Sequence, residues 1–410
     1  MVTQKRLTHL TLENYRSVRS LDIELSPLTA FIGPNGSGKS NVLSAIRFLS
    51  TTARFDLVRA LDEFGGFRAV HRDAKDTLVG DPVKVAVSGV ATQHASRSAP
   101  DEYELEFSRP RDTARVTRTE VFRFKRSQGQ GRRREIKVSG AKITARELEE
   151  SGPEPLLTLG SAQTTGLFAA QVVKAEQDDM GGVAKFAEFL QSLVVLELNV
   201  NRIIRPARTR DVPEVPTNRL QASGANLAAV IEDLRDKNLE GYAELLQEMK
   251  GCLPGFVDIE IRQQGGPSTF SVVQIAERGA RRPYDLADAS FGTVRMLALL
   301  TALHQVNPPP VMAIEEVDNG LHPYALDVLV DRMRVASART QLLISSHSPT
   351  LVNRLASEEI IVCDRDPDTG ESVIPAVGSA EIQRAVDAAR GPGAGELWFA
   401  GVLDGVPRGA

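Results

Sequence analysis

The 410 residues are 42% hydrophobic, enough for two or three compact units with real cores. Forty-nine Lys and Arg stand against fifty-three Asp and Glu, a formal net charge of −4, which excludes a general polycation and confines any nucleic-acid surface to a local patch. The two cysteines, Cys252 and Cys363, are far apart and outside CxxC spacing, which argues against a disulfide framework and a zinc site and suits reduced thiols packed as small hydrophobes.

From the amino end, residues 1–20 alternate apolar and polar and lack the roughly 7–15-residue apolar core of a signal peptide. No later stretch reaches the roughly 18 apolar residues that cross a bilayer, so a cytoplasmic protein with no membrane partner is expected. The first 50 residues read as strand, strand, loop, helix. Thr8, Leu10 and Leu12 share one strand face, Leu21, Ile23 and Leu25 repeat the alternation, and residues 28–32 form a short apolar run ending at glycine. A helix starts at Lys39, with Val42, Ile46 and Leu49 on one face.

Strands are expected near residues 83–90, 103–107 and 116–124, then a helical pattern over 226–249 through Leu227, Val230, Ile231 and Leu234. Two strands follow between 255 and 275, separated by a turn that ends at Pro267. The last 120 residues alternate helix and buried strand (311–314, 341–345), the rhythm of a parallel sheet, and from Gly391 the Gly- and Pro-rich end is expected to be irregular. No sustained heptad pattern marks a coiled-coil arm. The class is α/β.

Three constellations carry chemistry. Gly33-Pro34-Asn35-Gly36-Ser37-Gly38-Lys39-Ser40 fits G-x-x-x-x-G-K-[ST] between a buried strand and a helix. Its glycines let backbone N–H groups converge on phosphate oxygens at a helix amino terminus, so Asn35, Gly36, Ser37, Gly38, Lys39, Ser40 and Asn41 are assigned to ATP. Lys39 supplies charge at the β- and γ-phosphates and Ser40 a hydroxyl ligand for Mg²⁺. The apolar run 311–314 ends in Glu315 and Glu316, which alternate faces if the strand continues; Glu315 would hold Mg²⁺ directly or through water, and Glu316 would orient or deprotonate the attacking water. A second buried run ends before His347, which could hydrogen-bond a γ-phosphate oxygen.

A fourth feature is electrostatic. Residues 109–142 hold twelve Lys or Arg against three acids, on two strands joined by Ser127-Gln-Gly-Gln-Gly131. Arg132, Arg133 and Arg134 are its densest part and the candidate DNA-backbone contacts. A solvated edge hairpin protected by charge accounts for the same pattern equally well.

These residues resemble the ABC-type ATPase heads of the SMC, RecF, RecN and OLD group, in particular compact stand-alone bacterial members without a TOPRIM module. The resemblance rests on Asn14-Tyr-Arg-Ser-Val18, the stretch from Phe31 to Leu43, Ser290-Phe-Gly-Thr-Val-Arg295, Ile314-Glu-Glu-Val-Asp-Asn-Gly-Leu-His-Pro323 and Ser345-Ser-His-Ser-Pro-Thr350. It implies a P-loop ATPase head built from both chain ends, residues 1–90 and 281–410, around an inserted α+β lid, 91–280. It also implies that Ser290 and Gly292 approach the γ-phosphate held by a second protomer, that Asp318 crosses the dimer interface, that His347 is the switch histidine, and that Arg16 lies near the nucleotide.

By the same resemblance the cofactors are ATP and Mg²⁺ and the assembly is a homodimer. Its turnover is coupled to DNA or to a separately encoded effector such as a nuclease, in DNA repair or antiviral defence. The sequence departs from the family at Phe291, where Asp or Gly is common, and at Glu315, where Asp is usual. The 63 residues after His347 carry no acidic nuclease cluster, so catalysis on DNA is expected to come from a partner. Two rival readings are an ABC transport ATPase subunit and a weakly hydrolysing, nucleotide-gated scaffold.

Overall fold

The computed structural model describes residues 4–74, 77–78, 80–110, 115–125, 133–148, 154–172, 178–205, 218–264, 270–389, 391 and 393–403. Strands β1 (Arg6–Tyr15) and β2 (Val18–Glu24) form a hairpin, and β3 (Leu28–Ile32) leaves it for a second sheet. Strands β4 (Val83–Val90), β5 (Asp101–Ser108), β6 (Thr117–Lys125), β7 (Arg133–Ser139), β8 (Lys142–Glu147) and β9 (Glu154–Thr158) extend that hairpin into one eight-stranded antiparallel sheet, in the order β2-β1-β4-β5-β6-β7-β8-β9. After β10 (Val194–Leu196) come β11 (Phe256–Gln264), β12 (Phe270–Glu277) and β13 (Tyr284–Asp285), a three-stranded antiparallel sheet. Strands β14 (Val311–Ile314), β15 (Gln341–Ser346) and β16 (Ile360–Val362) complete a five-stranded parallel sheet, β10-β14-β15-β3-β16, and β17 (Asp364–Arg365) pairs with β18 (Ser372–Val373) as a short ribbon.

The parallel sheet is apolar on both faces, which is why its strands read as continuous hydrophobic runs rather than alternating ones. Phe31, Val311, Ala313 and Leu343 enter one core, with the inner face of the antiparallel sheet and the Lys39–Phe55 helix. Ala30, Ile32, Met312, Ile314, Leu342 and Ile344 enter the other, with the helices Leu227–Lys237, Leu239–Cys252, Phe291–His304 and Pro323–Ser337. The Lys39–Phe55 helix is held in the first core by Phe48, whose ring stacks on Phe107 at 5.5 Å and meets Tyr15 edge-on at 6.2 Å.

Strand pairing crosses the expected boundaries at 90/91 and 280/281, β4 with β5 and β12 with β13, and β10, also from the middle, is an edge strand of the parallel sheet. The helical pattern over 226–249 is two helices, broken at Asn238, whose side chain caps the second by accepting the Gly241 amide at 3.0 Å. Beyond Gly391 a helix, Ala394–Phe399, buries Leu397 and Trp398. Each such burial contributes about 1.5–3 kcal/mol, more than the roughly 1 kcal/mol a helical glycine costs.

The antiparallel sheet carries its own fastening. Arg118 and Glu120 are fully buried with Nη1 3.0 Å from Oε1, and Glu120 also accepts the Tyr103 hydroxyl at 3.1 Å and the Gly166 amide at 2.9 Å. Burial pushes the Glu120 carboxyl and the Tyr103 phenol up from their ordinary pKa values. Replacing Glu120 by Leu leaves the guanidinium buried without a counter-charge, an expected loss of about 3–5 kcal/mol measured as a lower urea midpoint. A loss under about 1 kcal/mol would show that the pair does not hold this sheet to the loop before Gly166.

Candidate active site

The site grows from the carboxyl edge of the parallel sheet. Ile32 of β3 lies opposite Ser346 of β15, and Ile314 of β14 lies opposite Ile344, so Gly33, Glu315 and His347 leave the sheet at one edge. Gly33 must be glycine because a Cβ there would strike the Cys363 carbonyl oxygen, and Gly38, at φ 102°, has Ser372 Oγ where its Cβ would be. Chain from beyond β16 therefore presses on the loop whose glycines the sequence singled out. The Lys39–Phe55 helix begins directly at Gly38, so its amino-terminal N–H groups face the loop.

Lys39 is 7% exposed, and its ammonium donates to the carbonyls of Gly33 at 2.7 Å and Pro34 at 2.8 Å. Burial pulls its pKa down, against the opposing pull of Cys363, Glu316 and Asp318. Ser37 is fully buried, and its hydroxyl finds no hydrogen-bond partner among the described residues. Asn35, Gly36 and Ser40 are exposed. Asn41 donates to Ser17 Oγ at 2.6 Å and accepts Arg16 Nη1 at 3.5 Å, while the Arg16 guanidinium lies over the Phe64 ring at 5.7 Å. Ser17 in turn meets Ser372 at 2.6 Å.

The two acids part company by a turn, not by strand alternation. The Glu315 amide still bonds in the sheet, to the Leu196 carbonyl at 3.1 Å. Burial, then the nearby Glu197, push its carboxyl pKa up, against Arg47 and the nearby Ser40 hydroxyl. Glu316 turns into the left-handed region at φ 47°, its amide donating to Ser345 Oγ at 2.9 Å, and its Oε2 accepts Asn319 Nδ2 at 3.2 Å. Arg295, 3% exposed, donates to the carbonyls of Glu315 at 3.1 Å and Glu316 at 2.6 Å. Burial lowers its pKa, against Glu316 and Asp318.

Ser290 caps the Phe291–His304 helix through the Thr293 amide at 3.2 Å and is exposed together with Phe291. Asp318 is buried, with Oδ1 unpartnered among the described residues, and His347 is exposed just past β15.

Sequence reasoning gave no role to Arg295, Asn319, Ser17 or Ser372, although the first three lie in the stretches that carry the resemblance. In the basic ribbon Arg133 donates to Glu102 at 2.7 Å and to the Pro100 carbonyl at 2.6 Å, and Arg134 is buried 3.5 Å from Glu147. Cross-strand acids thus offset a charge excess that runs along the chain, and Arg132 lies outside the described residues.

A glycine cradle that side chains would fill, a buried unpartnered hydroxyl at Ser37 and the Ser40 hydroxyl near the Glu315 carboxyl together suit a magnesium nucleotide. The chain matches the family described as "AAA domain, putative AbiEii toxin, Type IV TA system" over residues 28–353. It is 38% identical over 119 residues to the DNA replication and repair protein RecF of Beutenbergia cavernae, covering 28% of this chain and 29% of that one. It is 48% identical over 40 residues to the OLD nuclease of Thermus scotoductus, covering 10% and 8%. The matched stretches thus span less than a third of these relatives' length.

Among solved structures it is similar to an Smc head bound to the C-winged helix domain of ScpA, with TM-score 0.50, 14% identity, and 90% of this chain and 97% of that chain covered. It is also similar to an Smc head domain with an extended coiled coil, bound to the C-terminal domain of ScpA and derived from Pyrococcus furiosus, with TM-score 0.50, 14% identity and coverage of 94% and 100%. At that identity the likeness concerns the fold. The family match runs through well over half of the chain, and the protein belongs to this AAA-domain family, with stretches similar to RecF and to an OLD nuclease and a fold like that of Smc heads.

Proposed function

We propose that this chain binds ATP with Mg²⁺ and hydrolyses it in a site completed by a second copy of itself. The observation that carries the reading is the register of the parallel sheet, which brings the loop of Lys39 and Ser40, the acids Glu315 and Glu316, and His347 out at one edge. Bound Mg²⁺ would offset charge on the β- and γ-phosphate oxygens. Lys39 exchanges its two loop carbonyls for phosphate oxygens, and Asn35, Gly36, Ser37 and Gly38 offer the loop. Asn41 and Arg16 flank the nucleotide, Glu316 accepts a proton from the attacking water, and His347 donates to the γ-phosphate. Ser290 and Gly292 act on the partner's nucleotide, with Asp318 at the interface.

Lys39→Ala is expected to abolish nucleotide binding, and Glu316→Gln to keep it while lowering turnover on the order of 10²–10³-fold. Light scattering of Glu316→Gln should then report a mass that doubles with ATP and Mg²⁺ at concentrations bracketing dissociation. Near-wild-type turnover assigns the base elsewhere, and a constant mass removes the nucleotide-gated dimer.

Because burial raises the Glu315 pKa, its carboxylate is lost on acidification at a higher pH than that of an ordinary glutamate. Calorimetric affinity for Mg²⁺ with a non-hydrolysable ATP analogue should therefore fall on acidification earlier than for an ordinary glutamate. In Glu315→Gln only the share of the fall due to the analogue's own phosphate should remain; matching pH profiles for the two proteins remove Glu315 from the metal site.

A second reading couples turnover to DNA, directly or through a separately encoded effector such as a nuclease in repair or antiviral defence. It is favoured by relatives named for DNA replication and repair and for a nuclease. A transport role has no such support, and among the described residues no helix is long and apolar enough to cross a membrane. Since Arg133 and Arg134 are held by Glu102 and Glu147, replacing Arg132, Arg133 and Arg134 with Ala should lower the slope of log DNA affinity against log salt by no more than about one unit. A fall of about three units in anisotropy titrations would return all three arginines to the DNA backbone.

A further inference from the structure

The first residues of the Phe291–His304 helix and the turn after β14 interlock more closely than nucleotide contact requires. The Phe291 ring is 48% exposed, yet it occupies the space a Cβ on Gly320 would take. Gly320 sits at φ 72°, and its carbonyl oxygen lies 2.6 Å from where a Cβ on Gly292 would be. The turn itself is closed by the Asn319 amide on the Glu316 carbonyl at 2.9 Å and the Leu321 amide on the Asp318 carbonyl at 3.1 Å. Its inner end is gripped by Arg295 from the same helix, and Asn319 Nδ2 ties the Glu316 carboxylate at 3.2 Å.

Resting on the reading above, we infer that Phe291 is a positioning residue: its ring pins Gly320, keeps the 316–320 turn closed with Glu316 tied to Asn319, and makes release of that carboxylate depend on what happens at Ser290 and Gly292. An exposed amide–carboxylate contact is weak by itself, since water competes for both groups. The ring supplies what the contact lacks, because it packs against Gly320 on the side where a Cβ would stand. Phe291 stands between Ser290 and Gly292 in a helix with no flexible segment between them, so a shift of the helix end toward a partner's nucleotide moves the ring as well. Phe at this position, where the resembling heads commonly carry Asp or Gly, is then a device that holds the base in reserve until a second copy docks.

The test uses the full chain without nucleotide first. In Phe291→Ala, hydrogen exchange resolved to single amides should quicken on the order of tenfold at Asn319 and Leu321 and stay unchanged at Val317, whose amide is fixed to the Ser345 carbonyl at 3.0 Å. Phe291→Leu, which keeps an apolar cap, should restore slow exchange. At protein concentrations where monomer dominates, Phe291→Ala and Asn319→Ala should each raise ATP turnover by about 3–10-fold with little change in KM. Unchanged exchange at Asn319 and Leu321 in Phe291→Ala overturns the inference, as does turnover that falls or stays level in both variants while wild type is active. Should wild type and Glu316→Gln be equally inactive, the hydrolytic reading fails by itself, and the exchange result still decides whether Phe291 holds the turn.

Discussion

In the parallel sheet Ile32 stands opposite Ser346, Ile344 opposite Ile314, and Ile314 opposite Leu196, and this register is the constraint on which the site depends. Both faces of the sheet are buried, so a slip of one residue along β14 would exchange Val311 and Ala313 with Met312 and Ile314 between two differently shaped cores. With that slip forbidden, the strands end level, and everything that follows them starts from a common edge. Gly33 enters the loop, Glu315 meets Ser40, and Ser345 reaches the Glu316 amide because none of these strands can run long or short by a position.

Buried polar atoms show where this order is left open. Gln341 is fully buried yet complete, exchanging bonds with the amide and carbonyl of Leu7, both at 2.8 Å, and so fastening β15 to the antiparallel sheet. Among the described residues thirteen keep a buried polar atom without a partner, and four of them, Arg16, Ser37, Arg295 and Asp318, lie in or beside the site. An unsatisfied buried group costs about 1–3 kcal/mol. Such groups persist where a ligand completes them or where the site stores strain, and the left-handed backbone at Glu316 belongs to the same pattern.

What was legible in the sequence was local. The runs that became β3, β14 and β15 announce themselves because a strand buried on both faces is apolar throughout and must end at a glycine or at polar groups. The loop from Gly33 to Ser40 carries its own spacing. Pairing between distant strands has no such signature, so a boundary drawn at 90/91 cut between β4 and β5, and β10, three residues long, is too short to show a period. Charge balance is hidden for a related reason: Arg123 lies beside Glu102 and Glu135, which are far from it in sequence but adjacent across the sheet. Phe291 read as a defect in a motif until Gly320 was found beneath its ring.

The contact of Cys363 and Ser372 with the phosphate loop has a consequence for how the protein is made. Gly33 and Gly38 are shaped against chain that a ribosome adds more than 300 residues later, a delay of roughly 15–70 s at about 5–20 residues per second. A nascent chain therefore carries the whole G-x-x-x-x-G-K-[ST] stretch long before it has the wall that stretch leans on. The wall arrives late in synthesis, when β16 and the β17–β18 ribbon are added behind the loop, and truncated products that stop short of β16 lack it.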